Sequence, residues 1–420
     1  MREAVRQEVG DYQMYHARRT EFATADTVPF HVADEPLRLS SELHDDMERL
    51  GVELSAFMTA ADELYHTDEE AAALLDRGKP EIFRRERAAK QPFIRPDLII
   101  TEDGFAVCEI ETSPFGLGLA YALNTAYRAE GHETIVNGEL AHHLDSVLPD
   151  SGSLVYSDKT KAYAGQLGYL EERLFSANGR DWALREAAEA AEEGGTSGEA
   201  IYRAFYLHEY GTDPAVRELI EQGEAAEGDW TPSLTPHLEE KALMALLWDD
   251  RWEAYFRREL GDAGYKYLQS VIPPTWIVGE EEHFTPGLPG GVSDVEDIAG
   301  LPRPQRALVL KSSGYDRHGS WAESVELLHT KSQVEAGRLL VEAAARDDSL
   351  QIVQEFRRGT KIPMTYTENG TTRTDEVRVR LTPYVDPTTG RIIAAKATGR
   401  TGTDFIHAAS DSVNAAVGVR

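Results

Sequence analysis

Asp97, Glu109 and Glu111 lie within one short stretch, Arg95-Pro-Asp-Leu-Ile-Ile-Thr-Glu-Asp-Gly-Phe-Ala-Val-Cys-Glu-Ile-Glu. The apolar runs Leu98-Ile99-Ile100 and Phe105-Ala106-Val107 flank the turn residues Glu102-Asp103-Gly104, which reads as a β-hairpin. Side chains alternate along a strand, so Glu109 and Glu111 project from one face. Antiparallel pairing brings Asp97 opposite the end of the second strand. Three carboxylates on one patch repel one another unless a cation lies between them, and an all-oxygen donor set suits Mg²⁺. The plain alternative is a solvated acidic sheet face. Against it, these acids interleave with apolar residues instead of decorating a turn.

A second set of residues suits polyphosphate. Arg306-Ala-Leu-Val-Leu-Lys311 is an apolar strand ending in lysine, followed by Ser312-Ser-Gly-Tyr-Asp-Arg-His-Gly-Ser-Trp. The lysine offers a point charge, and Ser313, Gly314 and Gly319 offer hydroxyl and N–H donors on a pliant loop. An ordinary surface loop after an edge strand is the competing reading. Arg317, His318 and Trp321 on that loop are within reach of a substrate. Gln354-Glu355-Phe356 ends another apolar strand, where backbone groups can meet an adenine edge and a carboxylate can meet ribose hydroxyls. Glu376-Val-Arg-Val-Arg-Leu alternates, placing Arg378 and Arg380 on one face; aimed into a cleft, they would hold phosphate or carboxylate bidentately. Asp411 and Asn414 are either a second oxygen-ligand pair or, more simply, an N-cap or turn pair.

The 420 residues are enough for two or three domains or subdomains with ample core. Residues 1–90 read as a helical region with amphipathic stretches at Leu39–Leu50 and Ala60–Leu75. Residues 91–150 hold the carboxylate hairpin and a turn running into a helix that ends near Gly131. Residues 151–235 alternate strands (Ser153-Leu-Val-Tyr, Ala200–Leu207) with helices (Ala162–Leu174, Trp182–Glu192, Pro214–Gln222), an α/β unit with a small sheet. Residues 236–420 open with a helix from Pro236 and continue as mixed α and β.

A net charge of −30 argues against nucleic-acid or membrane-surface binding, which need a basic face. Only 10 of the 43 basic residues are lysines, so a lysine at a motif position carries more weight than usual. The single cysteine, Cys108, excludes an intramolecular disulfide and reads as a small buried residue. No apolar run approaches the roughly 20 residues of a membrane span, and residues 1–20 lack the apolar core of a signal peptide. The expectation is a cytoplasmic protein, with a homodimer as the default assembly.

Gly116-Leu-Gly118, after a strand and before a helix, raises a rival reading as part of a dinucleotide-binding fingerprint. Tyr121 stands at the third glycine position, where a side chain obstructs helix–strand packing. Glu109 and Glu111 just upstream would repel a pyrophosphate. A structural turn, or a loop presenting N–H groups to a substrate carboxylate, fits better.

Taken together, the hairpin, the lysine-then-glycine loop and the Gln-Glu-Phe strand end resemble the ATP-grasp superfamily. Their order is similar to its circularly permuted branch, that of glutathionylspermidine synthetase-like and eukaryotic-type glutathione synthetase ligases. There the metal hairpin reads Arg-x-Asp and then Glu-x-Asn, with the glutamate 12 and the last ligand 14 residues after the aspartate, the spacing of Asp97, Glu109 and Glu111. The resemblance implies that Arg95 faces the transferring phosphoryl group, with Asp97, Glu109 and Glu111 as Mg²⁺ ligands. Glu240-Lys241-Ala-Leu-Met-Ala-Leu-Leu-Trp248 is similar to the family's Asn-Lys-Ala-x-x-x-x-Leu-Trp segment, which implies a phosphate contact for Lys241. Lys311 matches the lysine before the mobile glycine loop, and Gln354, Glu355 and Phe356 match the adenine hinge. Glu111 departs from the pattern, which has asparagine there.

The implied fold is α/β (α+β): two mixed subdomains clasping ATP, with a helical N-terminal region. The implied activity is ATP-dependent joining of a carboxylate, on a small molecule or peptide, to an amine through an acyl phosphate. A phosphotransferase or an inactive ATP-binding scaffold is the alternative, and a dinucleotide-dependent oxidoreductase a more distant one.

Overall fold

The computed structural model describes all residues except 16–25, 85–87, 114, 137, 194–198, 320–323 and 408. The acidic stretch forms the hairpin Arg95–Thr101 and Gly104–Glu111, turning at Glu102-Asp103. Leu98, Ile100, Phe105, Val107 and Ile110 are buried in the main core, which leaves the opposite hairpin face for polar residues.

That hairpin is one edge of a seven-stranded sheet. From the other edge its order is His31–Val32, Val413–Ala415, Ile392–Arg400, Thr371–Val385, Arg95–Thr101 and Gly104–Glu111, with Lys361–Glu368 pairing off this path onto Thr371–Val385. The register sets Arg380 beside Ile99 and Thr398, and Thr382 beside Lys396. Arg378, Arg380 and Thr382 therefore share a face with Lys396 and Thr398. A second, antiparallel sheet runs Glu326–Leu327, Leu308–Ser312, Gln351–Glu355, Thr275–Ile277. Both sheets contribute to the walls of one cavity.

The N-terminal region is built on the helix Ser41–Thr67, started by the Ser40 hydroxyl accepting from the Leu43 N–H. Met47, Leu50, Leu54, Phe57, Ala61 and Leu64 recur every three or four residues and bury one face. Phe57 meets Phe256 of the helix Glu253–Val271 at 5.5 Å between ring centres. Short strands also tie this region to the far end of the chain: His31–Val32 runs parallel to Val413–Ala415, and Leu37–Leu39 parallel to Val417–Val419.

A third, parallel sheet orders as Asp181–Glu186, Ser151–Tyr156, Ala200–Ala204, Asp229–Thr231. Here the expected helix Trp182–Glu192 is corrected: its first half is a strand, and only Ala187–Glu192 is helical. The Trp182 ring stacks on Phe175 at 5.2 Å and its indole N–H donates to the Pro149 carbonyl, contacts that hold this segment in the sheet. The helix expected from Pro236 is likewise only a 3₁₀ turn, Pro236–Glu239, and a single turn, Leu243–Leu246. Glu240 between them is extended, at φ −80° and ψ 126°. Its carboxylate is claimed by the Lys79 ammonium at 2.5 Å and by the N–H groups of Gly314 and Tyr315. Among the described residues, no helix is long and apolar enough to cross a membrane.

Candidate functional site

Uninterrupted alternation would set Phe105 and Val107 on the face of Glu109 and Glu111, sending either the aromatic into solvent or the acids into the core. The register resolves the conflict. Leu98 pairs with Val107 but Asp97 pairs with Glu109, so Cys108 is an extra residue, a β-bulge. Before it, even-numbered residues face the cavity; after it, odd-numbered ones do. Ala106, Cys108, Glu109 and Glu111 line the cavity together, joined from the facing strand by Arg95, Asp97 and Ile99.

The cavity holds about 250 Å³. Asp97, 2% exposed, sits between two guanidinium groups: Arg380 Nη1 donates to its Oδ2 at 2.9 Å and Arg95 Nε lies 3.3 Å from Oδ1. Arg95 also reaches Glu111 Oε2 at 2.6 Å and donates to the Phe115 carbonyl at 2.9 Å. Lys241 lies 3.0 Å from Glu109 Oε1 and donates to the Gly319 carbonyl at 2.7 Å. From the second sheet, Lys311 donates to the Cys108 carbonyl at 2.7 Å and to Gln354 Oε1 at 2.8 Å. Lys396 donates to Thr398 Oγ1 at 3.3 Å.

These environments split the charges. Burial works against the Glu109 carboxylate, but Lys241 and Lys311 outweigh it and hold its pKa down at about 2. Glu111 is pushed up to about 7 by burial and by the charges of Glu109 and Asp97, against the pull of Arg95. Lys241 is raised, its carboxylate neighbours overcoming burial. Burial lowers Lys311, and burial with Arg380 brings Lys396 down to about 7. The Cys108 thiol is pushed up to about 12 by burial, which leaves it inert.

Of the residues read from the sequence, Arg95, Asp97, Glu109, Glu111, Lys241, Lys311, Gly319, Gln354, Glu355, Phe356 and Arg380 all line this cavity. Ser313 and Gly314 lie behind it: the Ser313 hydroxyl accepts from the Ala242 N–H, and Gly314 packs so tightly on the Glu239 carbonyl that a Cβ would collide with it. Arg378 does not line the cavity itself: it is held at the rim by Asp404 Oδ1 at 3.1 Å and the Gly359 carbonyl. Asp411 and Asn414 do not converge: Asp411 pairs with Arg400, while Asn414 is buried against Thr398 and Ser412. The Arg317 carbonyl accepts from Lys159, and Trp321 lies outside the described residues. Gly116, at φ 92°, and Gly118, packed on Gln166, make a structural turn into the helix Leu117–Ala129. Cys108, expected buried, is half-buried beside the cavity as the bulge residue, its thiol against the Asp97 carbonyl.

Sequence reasoning missed Thr382, Lys396 and an aromatic end made by Tyr15, Phe115, Tyr163 and Tyr206, where Phe115 stacks on Tyr163 at 4.6 Å and meets Tyr206 edge-on at 5.0 Å. A signal for Lys396 was present, since it is one of few lysines and shares strand parity with Arg400. The aromatics come from segments far apart in the chain, and no local pattern links them.

The donor set fits Mg²⁺ in kind, being all oxygen. In spacing, the three carboxylates are held apart, because Arg95 bridges Asp97 and Glu111 and Lys241 occupies Glu109. Mg²⁺ in nucleotide sites takes one or two carboxylates and completes its shell with phosphate and water, which Glu109 and Glu111 can supply from their side of the cavity.

No family model matches the sequence and no curated protein does. Among solved structures, the chain is similar to a glutathione synthetase-like effector from Globodera pallida in apo form, with a TM-score of 0.55 over 100% of this chain and 96% of that one at 12% identity. The chain thus has a mixed α+β fold with a helical N-terminal region, similar to the fold of that glutathione synthetase-like effector.

Proposed function

We propose that this protein is an ATP-dependent carboxylate–amine ligase that works through an acyl phosphate. One observation carries the reading: the inner cavity gathers Arg95, Lys241, Lys311, Arg380 and Lys396 around Asp97, Glu109 and Glu111, five bases to three acids, in a chain of net charge −30. With Glu355, Arg357 and Asp404 at the rim, the lining still carries six bases and five acids. A buried cationic surplus inside an acidic protein calls for a polyanion. The likeness to a glutathione synthetase-like fold supports the same reading.

In this scheme Val309, Leu327, Gln354, Glu355 and Phe356 take the adenine end, and Lys241 and Lys311 neutralise phosphate oxygens. Glu109 and Glu111 would hold Mg²⁺, which supplies charge neutralisation at the phosphates. Arg95 and Arg380, already fixed by Asp97, meet the γ-phosphoryl group. A substrate carboxylate oxygen bonds to the γ-phosphorus as the bond to ADP breaks. The amine nitrogen then bonds to the acyl carbon and gives up a proton, and phosphate leaves with the electrons of the C–O bond. Preorganised charge and exclusion of water supply most of the rate.

ADP release by the full chain, measured with ATP, Mg²⁺ and panels of acids and amines, tests this. Release that requires both an acid and an amine supports a ligase; release with neither, or with one acceptor alone, points to a phosphotransferase. A second reading, an ATP-binding scaffold without turnover, is favoured by Glu111, a glutamate tied to Arg95 where the resembling ligases carry asparagine. Nucleotide-dependent thermal stabilisation without ADP release under any pairing would select it.

A further inference from the structure

Asp62 and His66 sit one helical turn apart on Ser41–Thr67, the i,i+4 spacing that puts two side chains on one face. The 3₁₀ turn Pro236–Glu239 docks against that face and delivers His237. One ligating atom from each of the three residues lies within 4.8 Å of the other two. His66 Nε2 is 3.6 Å and His237 Nε2 2.7 Å from Asp62 Oδ1. Four-coordinate zinc with ligand bonds of about 2.0–2.1 Å needs ligand atoms about 3.3 Å apart, so modest side-chain shifts make these three a set. The His237 ring is already fixed: Tyr65 stacks on it at 3.8 Å, 6° from parallel, and the Tyr65 hydroxyl donates to Asp76. Asp62 is half-buried and His66 exposed, so an ion has a way in.

We propose that Asp62, His66 and His237 bind one Zn²⁺, with water in the fourth position. The site stands apart from the nucleotide cavity, since none of its residues lines that cavity. It joins the long N-terminal helix to the segment that, four residues later, carries Lys241. Two imidazoles and a carboxylate suit zinc and its late first-row neighbours far better than Mg²⁺ or Ca²⁺. His237 Nδ1 is buried without a hydrogen-bond partner. Lacking the usual outer acceptor, the site is expected to bind zinc 10–100-fold more weakly than one with that support, roughly in the micromolar range.

The test is calorimetric titration of Zn²⁺ into the full, chelator-stripped chain, in excess Mg²⁺ to compete at the hairpin carboxylates. One equivalent of Zn²⁺ is expected, weakened at least 10-fold in His66→Ala and in His237→Gln. His66→Ala removes an exposed side chain and so keeps the measurement meaningful even if His237→Gln folds poorly. Absence of binding to the wild-type chain, or stoichiometry and affinity unchanged in His66→Ala, would overturn the proposal.

Discussion

On the seven-stranded wall of the cavity, charge is matched in place. Asp97 lies between Arg95 and Arg380, Glu111 takes the other side of Arg95, and Glu109 faces Lys241. On the opposing wall Lys311 is buried and, among the described residues, hydrogen-bonds a carbonyl and the Gln354 amide oxygen; Glu109 acts on it through space and does not outweigh its burial. Lys396, on the first wall, is also buried and among the described residues hydrogen-bonds a hydroxyl. Matched charges hold each other in position, and removing one strands its partner. Unmatched buried cations are held at a cost in stability, which is understandable if an anion is to complete them. The two groups should therefore respond to substitution with opposite signs.

The largest effect is expected at Asp97. Asp97→Asn removes the charge from a carboxylate 2% exposed and leaves two guanidinium groups facing each other. Breaking a buried pair from one side costs about 3–5 kcal/mol, so the variant should unfold at distinctly lower temperature and lose any Mg²⁺-dependent stabilisation by ATP. A variant as stable as the wild type would show that the first wall is not matched as described.

The two lysines give the sharper contrast. Lys241→Met removes the cation in contact with Glu109 and should cost about 3 kcal/mol, the low end for a buried pair because Glu109 keeps 23% of its side chain exposed and Lys311 still acts on it through space. Lys311→Met removes an unmatched cation from the interior and fills its volume, so the ligand-free protein should be as stable or more stable while ATP no longer stabilises it. Thermal unfolding of both variants with and without ATP reads this directly. Equal losses of stability would erase the distinction between the walls.

Lys396 adds a pH dependence. Its pKa is lowered to about 7 in the folded protein against about 10.5 unfolded, so between these values the unfolded chain binds more protons. Stability contributed at this position is therefore full above pH 10.5 and is lost as pH falls toward 7. Compared with Lys396→Met, the wild type should lose about 2 kcal/mol between pH 9 and pH 7. Denaturant unfolding of both proteins across that range is the measurement, and parallel pH curves would remove Lys396 from the unmatched set.

The legible part of this arrangement was local. Turn residues between two apolar runs announce the hairpin, and its antiparallel pairing brings Asp97 to the end of the second strand, as the sequence implies. The bulge at Cys108 was not legible, since no glycine or proline marks it. It arises because Phe105 and Val107 must reach the core while Glu109 and Glu111 must not. Trp182 was misread because Ala183-Leu-Arg-Glu-Ala-Ala is a run of strong helix formers, and only tertiary pairing with Ser151–Tyr156 makes its first half an edge strand. The irregular chain at Glu240 answers to Lys79, 161 positions earlier in the sequence, and no window sees such a partner. Lys396 sits among alanines and isoleucines, where a lysine reads as a surface group until the neighbouring strand places Arg380 and Thr382 beside it.

Arg378 provides the smallest effect and the cleanest control. It shares a strand face with Arg380, two residues away, yet its guanidinium is held at the rim by Asp404 and the Gly359 carbonyl, and Arg378 does not itself line the cavity. Arg378→Ala therefore removes one partly exposed ion pair and should cost about 1 kcal/mol or less, with stabilisation by ATP unchanged. Arg380→Ala on the same strand should abolish that stabilisation, because Arg380 both lines the cavity and holds Asp97. If the two arginine variants lose nucleotide stabilisation equally, what matters is the charge of the strand as a whole. If only Arg380→Ala does, the direction in which each guanidinium is held decides which arginine serves the site.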